Sequence, residues 1–220
     1  MLDDPAADPG AVHASLRNIA RSNRWFGGSA AVRFGLTRAL RTVPPGSRLT
    51  LLDIGTGFGD LPGVAVRWGA SRGLTIVPLG LERNRTAAHL ARSAGVPTAV
   101  GCAGSLPLKA ASVDLVLVSQ LAHHLAPQSI VQLVSDCNAL ARRAVVLCDL
   151  RRAWFAGVAF EVGAWLLRFD PATRADGVTS VRRGFSPREL AELLRRAGVM
   201  TPVYRRPGYR LVAAWTPGPQ

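Results

Sequence analysis

The stretch Leu51 to Pro62 reads L-L-D-I-G-T-G-F-G-D-L-P and constrains the fold more than any other part of the chain. Residues 49–52 have the apolar character of a buried parallel strand, and glycines then occupy alternate positions at Gly55, Gly57 and Gly59. Glycine has no Cβ, so such a turn can adopt positive φ and let a ligand lie on backbone amides at the start of the next helix. The pattern predicts a strand, a ligand-binding turn and a helix.

The glycine spacing excludes two common nucleotide-binding motifs. The dinucleotide fingerprint G-x-G-x-x-G would need glycine at position 60 or 62, where the chain has Asp60 and Pro62. A phosphate loop needs G-K-[ST], and the only lysine is Lys109. A glycine-rich βα turn without a ligand is the alternative that the loop alone leaves open.

The run Asp53-x-Gly55-x-Gly57-x-Gly59 resembles the first motif of class I S-adenosylmethionine (SAM) methyltransferases, whose glycine loop passes under the amino-acid end of the cofactor. Glu82 ends the second predicted strand, residues 74–81, where a carboxylate can accept the hydroxyl protons of a ribose. The resemblance implies SAM as cofactor, held by Asp53, Gly55, Thr56, Gly57, Gly59, Glu82, Arg83, Cys102, Ala103 and Gln120.

A third segment departs from the family pattern at one position. Gly101-Cys102-Ala103-x-x-Leu106-Pro107 is similar to G-D-A-x-x-L-P, in which the acid hydrogen-bonds the adenine amino group. A thiol is a poor acceptor for that group. The departure leaves two outcomes open: weaker adenine binding, or adenine binding through the amide of Ala103, which in the family meets a ring nitrogen.

The fourth predicted strand, residues 111–119, leads into Gln120-Leu121-Ala122-His123-His124-Leu125. This matches the S/D-V-D-L-V and H-H-L pattern of small-molecule SAM methyltransferases, including the quinone-methylating group. Ligands of such sheets bind outside the carboxyl ends of the strands, so the histidine pair is expected at the cleft mouth. An imidazole can remove a proton from a phenol or enol, which makes His123 or His124 the candidate base. The alternative is one histidine in a structural hydrogen bond and the other exposed.

The rest of the pattern predicts an α/β fold. It is a doubly wound, seven-stranded, mostly parallel sheet with a C-terminal antiparallel hairpin, the Rossmann-like methyltransferase fold, preceded by a helical prefix. We expect a single domain over 1–220, with the prefix at 1–46, the SAM-binding core at 47–216 and a lid or acceptor segment at 151–185. Residues 1–10 are expected to fray, and residues 170–184 to form a polar connection.

Residues 153–167 are apolar except for Glu161 and include four aromatic side chains. A helix of this composition implies a lid, an acceptor pocket or a membrane surface. We favour a lid over a lipophilic or aromatic acceptor. Glu161 is then either a buried carboxylate near the chemistry or, as we favour, paired with an arginine. Asn23, Arg24 and Trp25, at the break between the two prefix helices, are candidate pocket residues or an ordinary interhelical corner.

The chain carries a net charge of +13, and all but one of its 27 basic residues are arginine. The arginines are spread in pairs without interleaved aromatics, which disfavours nucleic acid. We interpret them mainly as a solvated basic surface, with contact to acidic substrates or transient contact with a membrane surface as the alternatives. The three cysteines fit reduced thiols of a cytoplasmic protein. No signal peptide, membrane span or metal site is predicted; His123 and His124 are adjacent, and Asp149 alone does not make a site.

These patterns together predict a SAM-dependent methyltransferase that acts on O or C of a small lipophilic or aromatic acceptor. RNA methylation is one alternative, favoured only by charge, because no [DN]-P-P-[YF] or Pro-Cys motif follows the fourth strand. A non-catalytic partner subunit of the same fold is another, supported by Cys102. The oligomeric state stays open.

Overall fold

A computed structural model describes residues 8–104 and 108–218, which build one sheet with helices on both faces. The strands are β1 (Arg48–Ile54), β2 (Thr75–Glu82), β3 (Thr98–Val100), β4 (Val113–Ser119), β5 (Ala141–Leu150), β6 (Tyr204–Arg206) and β7 (Arg210–Trp215). The helices are α1 (Pro9–Trp25), α2 (Gly28–Ala39), α3 (Asp60–Ala70), α4 (Arg85–Ser93), α5 (Pro127–Leu140), α6 (Ala156–Leu166), α7 (Pro171–Arg183) and α8 (Pro187–Arg196).

The strand order is β3-β2-β1-β4-β5-β7-β6. Strands β1 to β5 pair in parallel, and β7 runs antiparallel to both β5 and β6. This confirms the predicted fold class, including the C-terminal hairpin. Because parallel strands end at the same edge, the loops after β1, β2, β4 and β5 converge there.

Side chains of the central strands point alternately to the two faces of the sheet and so divide the core into two layers. Leu49 and Leu51 of β1 pack with α2 and α3, whereas Leu52 and Ile54 pack with α5 and α8 on the opposite face. Side chains of successive strand residues point to opposite faces, so a nearly continuous apolar strand is buried on both sides.

The structure differs from the sequence prediction over residues 170–184, which form helix α7 and not a polar connection. Asp170 caps this helix, with its Oδ1 accepting from the Thr173 amide at 2.9 Å, and Pro171 occupies the first turn. The cap and the proline are helix-start signals that outweigh the polar composition of the segment. Glu161 pairs with Arg174 of α7 at 3.0 Å, as expected.

The predicted fraying tail lies outside the described residues for positions 1–7, but residues 9 and 10 already belong to α1. Asp8 caps that helix by accepting from the Ala11 amide at 2.8 Å. Across residues 8–104 and 108–218, no helix combines the length and the apolarity needed to cross a bilayer.

Candidate functional site

A cavity of about 910 Å³ opens at the carboxyl edge of the sheet. The loops after β1, β2 and β4 and the end of β5 form its floor, and residues of α1, α6 and α7 form the facing wall. Most of the residues predicted to bind the cofactor line this cavity, namely Asp53, Gly55, Thr56, Gly57, Glu82, Arg83, Cys102, Ala103 and Gln120. Gly59 does not line the cavity and lies at the N-cap of α3.

The glycine loop has the backbone conformation that its spacing predicts. Gly55, Gly57 and Gly59 have φ angles of 78°, 54° and 79°, which side-chain-bearing residues rarely adopt. A Cβ at Gly57 would make an ordinary contact of 3.5 Å with Leu16 of α1, and Gly57 itself lines the cavity, so a ligand can reach the backbone of the loop there.

Glu82 holds the glycine loop and the next helix start together. Its Oε2 accepts from the Gly57 amide at 3.0 Å, and its Oε1 accepts from the Asn84 amide at 2.9 Å. Each carboxylate oxygen retains a further lone pair for a ligand hydroxyl. The residue therefore joins the tips of β1 and β2 in the position where a ribose carboxylate is expected.

Carboxylates concentrate at this end of the cavity although the protein as a whole is strongly basic. Asp53 is 2% exposed; its Oδ2 accepts from the Thr56 hydroxyl at 2.9 Å, whereas its Oδ1 has no partner among the described residues. Burial, together with the smaller effect of the nearby charges of Asp60 and Glu82, raises the pKa of Asp53 to about 7. Burial also raises the pKa of Asp60.

These features fit SAM, whose sulfonium and ammonium groups are cationic. The orphan oxygen of Asp53 suits the ammonium end, and Glu82 suits the ribose. Cys102 and Arg83 are exposed at the cavity rim, and Ala103 is half-buried beside Cys102. Leu106 and Pro107, which complete the third motif, lie outside the described residues.

A second polar cluster lies across the cavity and contains a residue that sequence reasoning dismissed. His123, in a single 3₁₀ turn (Ala122–His124), places its Nδ1 at 2.6 Å from Oδ1 of Asp149, which stands near the end of β5. Both side chains are buried, and Nε2 of His123 has no partner among the described residues. The carboxylate fixes the ring and favours the tautomer with the proton on Nδ1, which leaves Nε2 as a potential proton acceptor.

His124 is exposed, with its ring centroid 4.2 Å from that of His123. The two candidate bases therefore occupy different environments. His123 is held by the buried carboxylate of Asp149, whereas His124 lies at the surface.

Arg210, at the start of β7, is a further charged residue of the site that the sequence analysis missed. It is 3% exposed and its Nε donates to the carbonyl oxygen of Phe26 at 3.0 Å. Burial lowers its pKa to about 10, and the negative charge of Asp149 opposes that shift. The guanidinium thus adds a fixed positive charge next to the His123–Asp149 pair.

The corner between α1 and α2 contributes Asn23 to the site. The Asn23 side chain donates to Asp60 at 3.0 Å and accepts from the side-chain amide of Gln120, which itself has a φ of 55°. This chain of hydrogen bonds connects the helical prefix to two strand-end loops. Arg24 and Trp25, the other two candidates at this corner, are exposed and do not line the cavity.

The part of the cavity beyond His123 has an apolar lining from several elements. It comes from the residue after the 3₁₀ turn, the end of β5, α6, α7 and the turn before β7, through Leu125, Leu150, Ala156, Ala159, Phe160, Val181 and Tyr209. Helix α7 adds polar and charged side chains at one side, namely Thr173, Asp176, Thr179, Ser180 and Arg183. Among the described residues, no group of three histidine, cysteine or acidic side chains could hold a metal ion.

The sheet order is that of the class I SAM-dependent methyltransferase fold, and comparison with known proteins agrees. Residues 52–148 match the family profile Methyltransf_11, described as a methyltransferase domain. No protein with curated annotation matches the sequence. The matched span runs from β1 through most of β5 and includes the glycine loop, Glu82 and both histidines.

Solved structures with similar folds include SAM-dependent methyltransferases. Human N-acetylserotonin methyltransferase in complex with SAM is 14% identical with a TM-score of 0.65, and the match covers 96% of this chain and 57% of that one. A SAM-dependent methyltransferase from Aquifex aeolicus is 16% identical with a TM-score of 0.60, covering 96% and 100%.

The pyocyanin biosynthetic protein PhzM is 18% identical with a TM-score of 0.57; the match covers 86% of this chain but only 55% of PhzM. Identities this low establish the fold alone. With the family match, the chain is a SAM-dependent methyltransferase and SAM is its cofactor.

Proposed function

We propose that this enzyme transfers the methyl group of SAM to an oxygen or carbon atom of a small lipophilic or aromatic acceptor, with His123 as the general base. The observation that carries the proposal is the buried His123–Asp149 pair between a carboxylate-rich cofactor end and an apolar end of one cavity. The named structural neighbours that act on small molecules support the same acceptor class.

The chemistry assigns a limited task to each residue. Bound SAM supplies a methyl group already activated by the sulfonium, so the protein mainly aligns the acceptor and, where needed, removes its proton. Asp53, Glu82 and the amides of the glycine loop hold the cofactor. Nε2 of His123 accepts the proton of a phenol or enol, and Asp149 stabilises the imidazolium that forms.

Cofactor binding is the first test. Calorimetric titration with SAM and with S-adenosylhomocysteine is expected to give micromolar binding that Gly57→Arg abolishes, because the arginine side chain would extend into the cavity that Gly57 lines. A panel of phenols, quinones and polyketides with methyl-labelled SAM then tests the acceptor class. Methylation of RNA but of no compound in the panel would reject the proposal.

The base is tested with three variants and one working acceptor. His123→Gln should lower kcat by roughly 10²- to 10⁴-fold, the usual contribution of a general base, with unchanged SAM affinity. Asp149→Asn should lower kcat less and shift the pH profile, because it removes the charge that stabilises the imidazolium. His124→Gln is the matched control; a larger effect there than at His123 would contradict the assignment.

A cytoplasmic location and a single-domain organisation over 1–220 are part of the same proposal. Cell fractionation tests the first, and limited proteolysis tests the second by looking for a stable fragment shorter than the chain.

A further inference from the structure

Helix α6 is apolar on two faces, and only one of them packs against another element of residues 8–104 and 108–218. On the inner face Ala156 and Ala164 are buried, and Phe160 packs edge-on against Phe26 with ring centroids 5.5 Å apart. Ala159 and Phe160 also line the cavity. A surface helix of this length normally carries polar residues on its other side.

The outer face of α6 carries large apolar side chains instead. Val158, Val162, Trp165 and Leu166 recur at helical spacing, so they form one stripe about 100° wide, and Trp154 continues it before the helix begins. Trp154 is 90% exposed and the other four are between 54% and 66% exposed. We call these five residues the apolar patch.

The end of α1 extends this surface. Phe26 packs against Gly163 of α6, and Arg21 donates to the carbonyl oxygen of Leu167 at 2.8 Å, so the ends of α1 and α6 are neighbours. Trp25, which precedes Phe26, is 62% exposed. A third tryptophan therefore borders the apolar patch.

The charge around the apolar patch is positive. Arg24 and Arg168 are exposed at the ends of α1 and α6, and neither forms an ion pair within residues 8–104 and 108–218. Residues 9–47 contain six arginines and no acid. On α6 the single acid, Glu161, is paired with Arg174.

We propose that the apolar patch is a docking surface for an anionic lipid bilayer. Tryptophan favours the boundary between headgroups and acyl chains, apolar side chains on one helix face insert there, and flanking arginines attract acidic lipids. A second copy of this chain fits less well, because it would bring another net charge of +13 to the same surface.

The position of α6 gives this docking a role in the reaction. Its inner face lines the acceptor end of the cavity while its outer face would lie in the bilayer surface. A lipophilic acceptor would then pass from the membrane to His123 across one helix. This role rests on the proposed acceptor class, whereas the docking itself does not.

Flotation with lipid vesicles tests the docking without any acceptor. The protein should float with phosphatidylcholine vesicles that contain phosphatidylglycerol, bind less to phosphatidylcholine alone, and lose binding as salt rises. Val158→Glu combined with Trp165→Glu should weaken vesicle binding by roughly tenfold or more, since both charges would enter the interface. Met200→Glu combined with Leu108→Glu is the matched control, because both residues are exposed and apolar and lie outside α6 and α7. The control should change binding by less than about twofold.

Circular dichroism melting and SAM titration of both double variants show whether folding and the cofactor site are preserved. No flotation of the unmodified protein with anionic vesicles, or equal flotation of the patch variant, would overturn the proposal. A dimer in light scattering that the patch variant dissociates would also overturn it and assign the face to a second copy. Vesicle binding without methylation of any lipophilic acceptor would retain the docking surface and reject the proposed acceptor.

Discussion

Burial of the Asp53 carboxyl group makes the stability of this enzyme depend on pH. The pKa of Asp53 is about 7 in the folded protein and near 3.8 in the unfolded chain. Between these values the folded state retains a proton that the unfolded state has lost, so stability falls as the pH rises from about 4 to 7. Above pH 7 the full cost is present, on the order of 4 kcal/mol. Urea denaturation at several pH values between about 4 and 7 should show that the free energy of unfolding falls more steeply with pH for the unmodified protein than for Asp53→Asn. The same pH dependence in both proteins would contradict this prediction.

The same carboxylate should make SAM affinity depend on pH in the opposite direction. A cationic ligand favours the ionised form of Asp53, so binding should strengthen as the pH rises through about 7. Calorimetry at several pH values checks this, with Asp53→Asn expected to bind weakly and with little pH dependence. An affinity that falls over this range would show that Asp53 does not meet the cationic end of SAM.

At the residue scale, the sequence predicts the cofactor-binding residues of the site better than the residues around the candidate base. The glycine loop and Glu82 follow their own strands directly, so local order along the chain was enough to group them. Asp149 and Arg210 depend on pairing between β5 and β7, which sets Leu150 opposite Arg210. This strand pairing joins segments that are distant in the sequence, so no local sequence pattern predicts it.

At the scale of elements, α6 and α7 form the part of the cavity that sequence reasoning described least well. The two helices pack closely at Gly177, where a Cβ would overlap the ring of Phe160. Composition indicated a polar connection for α7, whereas the helix is stabilised by its Asp170 cap and by Phe160 against Gly177. Such packing between helices depends on three-dimensional neighbours that composition does not reveal.

Gly177→Ala should therefore destabilise the protein by about 1–3 kcal/mol, because the added methyl group displaces Phe160. It should also raise the KM of a lipophilic acceptor while leaving SAM affinity unchanged, since Phe160 lines the acceptor end. Gly157→Ala in α6 is the matched control, because its Cβ would have an ordinary contact of 3.6 Å with Val178. There alanine should be neutral or stabilise by up to about 1 kcal/mol. Denaturant titration measures the free energy of unfolding of both variants. Similar decreases in both would rule out close packing at Gly177 as the cause.

At the scale of the whole molecule, the motif order along the chain was sufficient to predict the sheet. Glycine loop, acid at the second strand end and histidines after the fourth strand appear in the sequence in the order in which their strands occur. The order of the motifs did not predict how the cavity is covered. The covering helices α1, α6 and α7 lie outside the sheet and outside the family match at 52–148.

This arrangement predicts that the two ligands protect different covering helices. Ser15, Leu16, Asn18, Ser22 and Asn23 of α1 line the cavity, and Asn23 connects α1 to Gln120 and Asp60 beside the glycine loop. SAM should therefore slow hydrogen exchange of residues 15–23 together with residues 55–59. A bound acceptor should add protection in α6 and α7, whereas α8, which does not line the cavity, serves as internal reference. Hydrogen exchange measured by mass spectrometry with SAM alone tests this prediction. If SAM protected only α6 and α7 and left exchange in α1 unchanged, the helical prefix would not cover the cofactor.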